Sequence, residues 1–205
     1  ALGENPATTA GIVKTLTEED YLQRDPVRGY RLGIRTAALA HGALYDAELM
    51  RRAQEVMPPL ARKWGIYLSL AVLYRGVRHS VLEVNQMGGV QARCLANPSV
   101  FSSATGLMLA AHLPRAELEA LLDNYTLPRR YRSISELTQA LEAIRRAGFA
   151  ELVRASGGMA YAVPVTEGGR VRAAVGCFPG EGSGRTPEEF RALLTRAAER
   201  IASGT

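Results

Sequence analysis

The residues of this chain that first suggest nucleophilic, general-base or metal-ligand chemistry are His41, His79 and His112, and Cys94 and Cys177. No histidine stands at a ligand spacing such as His-x3-His or beside a cysteine pair, so no metal site is expected. The chain has no Gly-x-Ser-x-Gly, no phosphate loop and no Gly-x-Gly-x-x-Gly, and no cofactor is expected. Both cysteines fall on or beside strand-forming stretches, where a buried inert thiol is the commoner state. His112 ends a helix, where a cation suits the dipole without any catalytic role. A small cysteine hydrolase using Cys94 and His112 stays open, though nothing in the spacing favours it. The other stretch with chemical potential is the small, polar run from Asn97 to Gly106 at a loop-to-helix junction. Amides at a helix N-terminus point outward unpaired and can hold an anion or a carbonyl. Ser102 or Ser103 could equally be a plain N-cap there.

The elements that must position these residues follow from pattern and punctuation. Asn5-Pro6 opens a helix with Ile12, Val13 and Leu16 on one side. Residues 21–24 and 30–32 read as a hairpin around Asp25-Pro26-Val27-Arg28-Gly29. Residues 34–45 are an alanine-rich helical connector. Asp46 can cap a second helix carrying Leu49, Ala53, Val56 and Leu60, which Pro58-Pro59 should kink or restart and Gly65 should end. Strands are expected at 66–74 and 80–85, helices at 102–112 and 115–123, and an amphipathic helix from Ser133 or Ser135 to Ala147. Three more strands follow at 149–153, 159–165 and 171–178, with Gly168-Gly169 turning between the last two. Thr186-Pro187-Glu188-Glu189 opens a terminal helix. This order predicts an α+β fold with a mostly antiparallel sheet and helices on one face.

Length and composition bound the answer. With 205 residues, 47% of them hydrophobic and 22% charged, the chain can bury a core without staples. Two cysteines exclude a disulfide scaffold. No stretch reaches the ~18 apolar residues of a membrane span, and the N-terminal residues do not resemble a signal peptide. The expected compartment is therefore the cytoplasm. Net charge is +5, and all but Lys14 and Lys63 of the 25 basic residues are arginine. This balance suits either phosphate binding or a GC-rich genome. No run of five like charges marks a nucleic-acid tail.

Three colinear segments resemble the IclR family of bacterial transcription regulators. Tyr21-Leu22-Gln23-Arg24-Asp25-Pro26, followed by Gly29-Tyr30-Arg31-Leu32-Gly33, is similar to the family's wing and its exit into a linker helix. Residues 103–114, with Glu117-Leu118 and Leu121-Leu122, are similar to its loop, helix and Leu-Pro junction. Residues 144–150, Ala162-Val163-Pro164-Val165 and Ala173-Ala174-Val175 complete the set. Ser99, Val100 and Phe101 stand where the family has Pro-Leu-His, and Leu107 replaces its lysine. Gly176 and Phe178 replace its Ser-x-Ser, and Ala160 a cysteine found in some members.

The resemblance implies a partial winged helix-turn-helix (1–33), a linker helix (34–45) and a GAF-like effector-binding domain (46–205). It starts at the recognition helix. The family's first two helices are not in the sequence, and specific DNA reading is expected to need them. Thr8, Thr9 and Lys14 would meet the major groove, and Arg24, Arg28 and Arg31 would reach phosphates. The partners implied are operator DNA, a small organic effector and further copies of the chain, as homodimer or homotetramer. Ile34, Ala37, Ala38, Leu39 and Leu44 of the linker would form the joint between copies. The effector would lie between the sheet and the loop before the Gly106 helix, against Leu70, Phe101, Ser102, Ser103, Ala160, Ala162, Gly176 and Phe178. Because the replaced family positions lose polar groups, the expected effector is apolar or aromatic, with at most one strongly polar group. Gly176 is expected to leave room for a ring, with Phe101, Tyr161 and Phe178 offering aromatic contacts. A binding module that no longer reads DNA remains a rival reading.

Overall fold

A computed structural model of the chain describes residues 5–36, 46–91, 95–97, 100–154, 157–180 and 183–203. It divides into two compact units, residues 1–47 and 48–205.

In the first unit, helix α1 (Pro6–Glu18) starts on Asn5, whose side chain accepts from the Ala7 amide at 2.9 Å. Strands β1 (Leu22–Asp25) and β2 (Gly29–Leu32) pair antiparallel. Asp25 closes the hairpin by accepting from the amides of Val27 and Arg28, both at 2.9 Å, and these bonds hold its carboxyl below its usual pKa. Residues 34–36 are helical, and the rest of the expected connector, 37–45, lies outside the described residues.

The second unit is built on one antiparallel sheet. Its strands are β3 (Ile66–Tyr74), β4 (Val77–Val84), β5 (Val90–Gln91), β6 (Leu95–Asn97), β7 (Ala150–Val153), β8 (Met159–Glu167) and β9 (Arg170–Pro179). The order is β5-β4-β3-β9-β8-β7, with β6 also on β4. Helices α2 (Ala47–Trp64), α3 (Ala104–Ala111), α4 (Arg115–Asp123), α5 (Ile134–Ala147) and α6 (Pro187–Ser203) complete it, and a 3-10 turn (Val100–Ser102) leads into α3. Among the described residues no helix is long and apolar enough to cross a membrane.

Alternation along the strands builds two apolar layers rather than one. Leu68, Leu70, Val72, Val163, Val175 and Cys177 face α2 and α6, whereas Ala71, Ala162 and Ala174 face α3, α4 and α5. The expectation of helices on one face is thereby corrected. The two central strands β3 and β9 are apolar on both sides, as burial on both sides requires. Pro58 and Pro59 do not break α2, which runs uninterrupted through both. Its buried stripe, Leu49, Ala53, Val56, Met57 and Ala61, packs on the sheet. At about 1.5–3 kcal/mol per buried large side chain, that packing outweighs the loss of two amide donors.

Local signals act where the pattern placed them. Ser133 caps α5 by accepting from the Glu136 amide at 3.1 Å, and Gly148 ends it in the left-handed conformation. Thr186 and Glu189 form a reciprocal capping box at the start of α6.

Candidate functional site

One register shift shapes the site. Leu70 pairs with Leu82 but Ala71 pairs with Ser80, so β4 carries an extra residue, Val81. The bulge re-phases the strand: Ser80 and Glu83, three residues apart, reach the same face as Ser69, whose strand partner is Glu83. Arg78, opposite Leu73, shares that face.

The α3 layer meets this face through two close approaches. A Cβ on Gly106 would sit 1.9 Å from the Val100 carbonyl oxygen, so only glycine lets the 3-10 turn lie against α3. A Cβ on Gly176 would sit 2.6 Å from Thr105 Cγ2 and 2.8 Å from the Tyr161 carbonyl oxygen. Gly176 therefore makes room for Thr105 rather than for an effector ring, and that expectation is corrected.

Between these elements is a cavity of about 200 Å³. Ser102, Ser103, Ala104 and Thr105 border it from the α3 side, and Ser69, Ser80, Ala160, Gly176 and Phe178 from the sheet. Three charged residues, Arg78, Glu83 and Arg154, complete its wall. A second cavity of about 330 Å³ shares Ser69, Glu83 and Phe178 and continues past Tyr67 and Asn85. The Phe178 ring stands where the two meet. Tyr67 stacks on it at 4.7 Å, and the Arg154 guanidinium lies 4.3 Å from its centre.

Of the eight expected effector contacts, Ser102, Ser103, Ala160, Gly176 and Phe178 line the cavity. Leu70 does not. It is fully buried in the opposite layer, because β3 alternation sends Ser69 and Ala71 to the cavity side. Phe101 is also core rather than lining: it is 1% exposed and meets Tyr125 edge-on at 5.8 Å. Ala162, the strand partner of Gly176, is fully buried and is not among the lining residues. Tyr161 borders the cavity, but its ring stacks in the other layer on Phe149 at 5.6 Å and Phe190 at 5.1 Å. Ser103 is committed to capping, accepting from the Gly106 amide at 3.1 Å.

Sequence reasoning missed the polar wall of Ser69, Arg78, Ser80, Glu83 and Arg154. Its one sequence signal was the polar alternation of Arg78 and Ser80 within an apolar region. The Arg78 Nη1 group donates to Thr105 Oγ1 at 3.2 Å, and Ser80 donates to Glu83 Oε1 at 3.0 Å. Burial pulls the Arg78 pKa down from its usual value, partly offset by the nearby Glu83 charge.

The cysteine reading loses its described nucleophile. Cys177 is buried among apolar side chains, which pushes its thiol pKa up to about 12. Cys94 and His41 lie outside the described residues. His112 bonds the Met108 carbonyl through Nδ1 at 2.9 Å. Among the described residues no group of three or more His, Cys, Asp or Glu could hold a metal ion.

In the first unit, Thr8, Thr9, Lys14, Arg24, Arg28 and Arg31 are all exposed. They do not share one face. Helical rotation sets Lys14 about 120° round α1 from Thr8, and Lys14 pairs with Glu18 at 3.7 Å. Arg24 lies opposite Tyr30 and Arg31 opposite Gln23, on alternate sides of the hairpin, with Arg28 in the turn.

No family model matches the chain. It is 29% identical over 156 residues to the HTH-type transcriptional regulator XynR of Escherichia coli K12, a match covering 73% of this chain. The match spans 62% of the length of that curated relative. A crystal structure of an IclR homolog from Microbacterium hydrocarbonoxydans, complexed with 4-hydroxybenzoate, superposes with a TM-score of 0.78 at 26% identity, over 96% of this chain and 84% of that one. The C-terminal domain of the E. coli transcriptional regulator KdgR superposes with a TM-score of 0.64 at 26% identity, over 76% of this chain and 97% of that domain. One relative thus matches nearly the whole chain, hairpin included, and another is a separate domain with the fold of the larger unit. With the colinear sequence segments, this agreement makes the chain similar, over most of its length, to transcription regulators of the IclR type.

Proposed function

We propose that this chain works as a ligand-responsive, DNA-binding transcription regulator rather than as an enzyme, acting in the cytoplasm. The larger unit binds a small organic effector, and the smaller contributes contacts to operator DNA. The observation that carries the reading is the cavity of about 200 Å³ between the sheet and the start of α3, lined by side chains from β3, β4, β7, β8 and β9. Its size is below the ~300–1,000 Å³ usual for ligand sites, which suits one small molecule. The Microbacterium relative, whose crystal structure holds 4-hydroxybenzoate, supports an effector of that size class. The effector expected here has an apolar or aromatic body. A thermal-shift screen of small organic acids and aromatics tests this: a true effector at a hundred times its Kd adds about 2.7 kcal/mol. If no small molecule stabilises the protein, the reading fails.

For DNA, the exposed hairpin arginines support phosphate contact. Arg28→Ala is expected to weaken binding to an upstream duplex and to a random duplex alike, and to lower the salt slope by about 0.9. Fluorescence anisotropy across a salt series reads both quantities. A loss confined to one sequence would assign Arg28 to base reading instead.

Self-association belongs to the same proposal, as homodimer or homotetramer through the 34–45 segment. Ile34, at its start, is 71% exposed. A dimer presenting two hairpins suits paired half-sites. Sedimentation at micromolar concentration is expected to give a dimer or larger, and a clean monomer would count against it.

A further inference from the structure

We propose that Arg78 is the anchor for the carboxylate of a small monoanionic effector, whose apolar body lies along the sheet towards Phe178. The inference rests on the reading of the cavity as an effector site and names the chemistry that site takes.

Three observations carry it. First, Arg78 is a half-buried cation whose Nε is enclosed. A guanidinium has five N–H donors. Here Nη1 donates one to Thr105, while Nε is enclosed and makes no hydrogen bond. Among the described residues no carboxylate lies within ion-pair distance of Arg78. An enclosed donor without a partner is costly, and such a cost persists where a ligand supplies the missing one. A carboxylate does so by accepting two parallel N–H bonds. Second, among the described lining residues the one carboxylate, Glu83, accepts from Ser80 at 3.0 Å and makes no ion pair with Arg78. Third, the charges on the wall favour a single negative charge. Arg78 and Arg154 against Glu83 leave one net positive charge in a space of about 200 Å³. Tyr67 and Arg154 cover the two faces of the Phe178 ring, so a ligand body reaching that end meets the ring's edge. Ala104 and Thr105, the first residues of α3, also line the cavity, and a helix start favours an anion. These groups together favour a carboxylic acid with one ring or a short chain over a neutral or dianionic molecule.

The test is isothermal titration calorimetry with benzoate, 4-hydroxybenzoate and cyclohexanecarboxylate against benzamide and 4-hydroxybenzamide. The full chain is compared with Arg78→Met, Arg78→Lys and Ala160→Leu, the last chosen to fill the cavity. At least one acid is expected to bind while its amide does not. Arg78→Met should weaken that acid about ten- to a hundredfold. Arg78→Lys should retain part of the affinity, and Ala160→Leu should abolish it. Free of ligand, Arg78→Met should melt no lower than the parent, because it removes an underpaired cation. Amides binding as well as acids, or Arg78→Met leaving affinity unchanged while Ala160→Leu removes it, would overturn the role of Arg78 but leave the cavity as the effector site. Acid binding untouched by both variants, or no binding by any acid or amide, would overturn both readings. A large drop in the melting temperature of ligand-free Arg78→Met would assign the residue to the scaffold and overturn the proposal.

Discussion

Gly106→Ala is expected to destabilise the larger unit by about 3 kcal/mol or more, enough to lower its melting temperature by roughly 10 °C. The added Cβ would lie 1.9 Å from the Val100 carbonyl oxygen and 2.8 Å from Ser103 Oγ. The first neighbour is backbone and cannot rotate away. Relief requires the 3-10 turn Val100–Ser102 to lift off α3, and that turn carries Phe101 in the core and Ser102 on the cavity rim. The gain in helix propensity of about 1 kcal/mol from Gly to Ala does not offset the clash. Gly11→Ala provides the contrast. Gly11 lies within α1 with nothing within 4 Å of its would-be Cβ, so the substitution should leave the melting of the larger unit unchanged. Differential scanning calorimetry of both variants decides the matter. A Gly106→Ala transition within about 2 °C of the parent would mean that the turn yields freely.

What was legible in the sequence was local. The apolar run from Ile66 to Tyr74 is a strand over that range because its length and β-branched and aromatic content depend on no partner. Gly148 and the Thr186–Glu189 box end and begin helices through bonds made within a few residues. The resemblance placed the cavity beside the α3 start, and five of the eight expected residues do line it. The misses depend on partners distant in sequence. Leu70 was assigned to the wrong face because only pairing tells which side of a strand doubly buried on both faces meets which helix. Gly176 reads in sequence as vacant space, but Thr105, some seventy positions earlier, rests against it. Arg78 and Glu83 join the site only through the bulge at Val81, which appears in no residue pattern of β4. For the same reason the wall is more polar than the replaced family positions suggested. The lost serines of β9 are answered by charged residues from β4 and by Arg154, just after β7.

Phe101→Ala should separate core from site most sharply. The side chain is 1% exposed and packs in the layer of α3, α4 and α5. Truncating a buried phenylalanine costs about 3–5 kcal/mol. The edge-on contact with Tyr125 at 5.8 Å is lost as well, worth about 0.5–1.5 kcal/mol beyond its area. Tyr125 itself donates to the Gly76 carbonyl at 2.7 Å, tying the β3–β4 turn to the segment after α4. Loosening its ring should therefore extend the damage to that turn. The expected result is a fall in melting temperature of about 10 °C or more. The Kd of benzoate or a similar acid, measured well below the transition, should change by less than about threefold. An effector-lining phenylalanine would give the reverse: a modest loss of stability and a large loss of affinity. That reverse result would return Phe101 to the cavity and place the effector between α3 and Tyr125, away from Arg78. The two outcomes lie on different axes, so one variant, melted and titrated, decides between them.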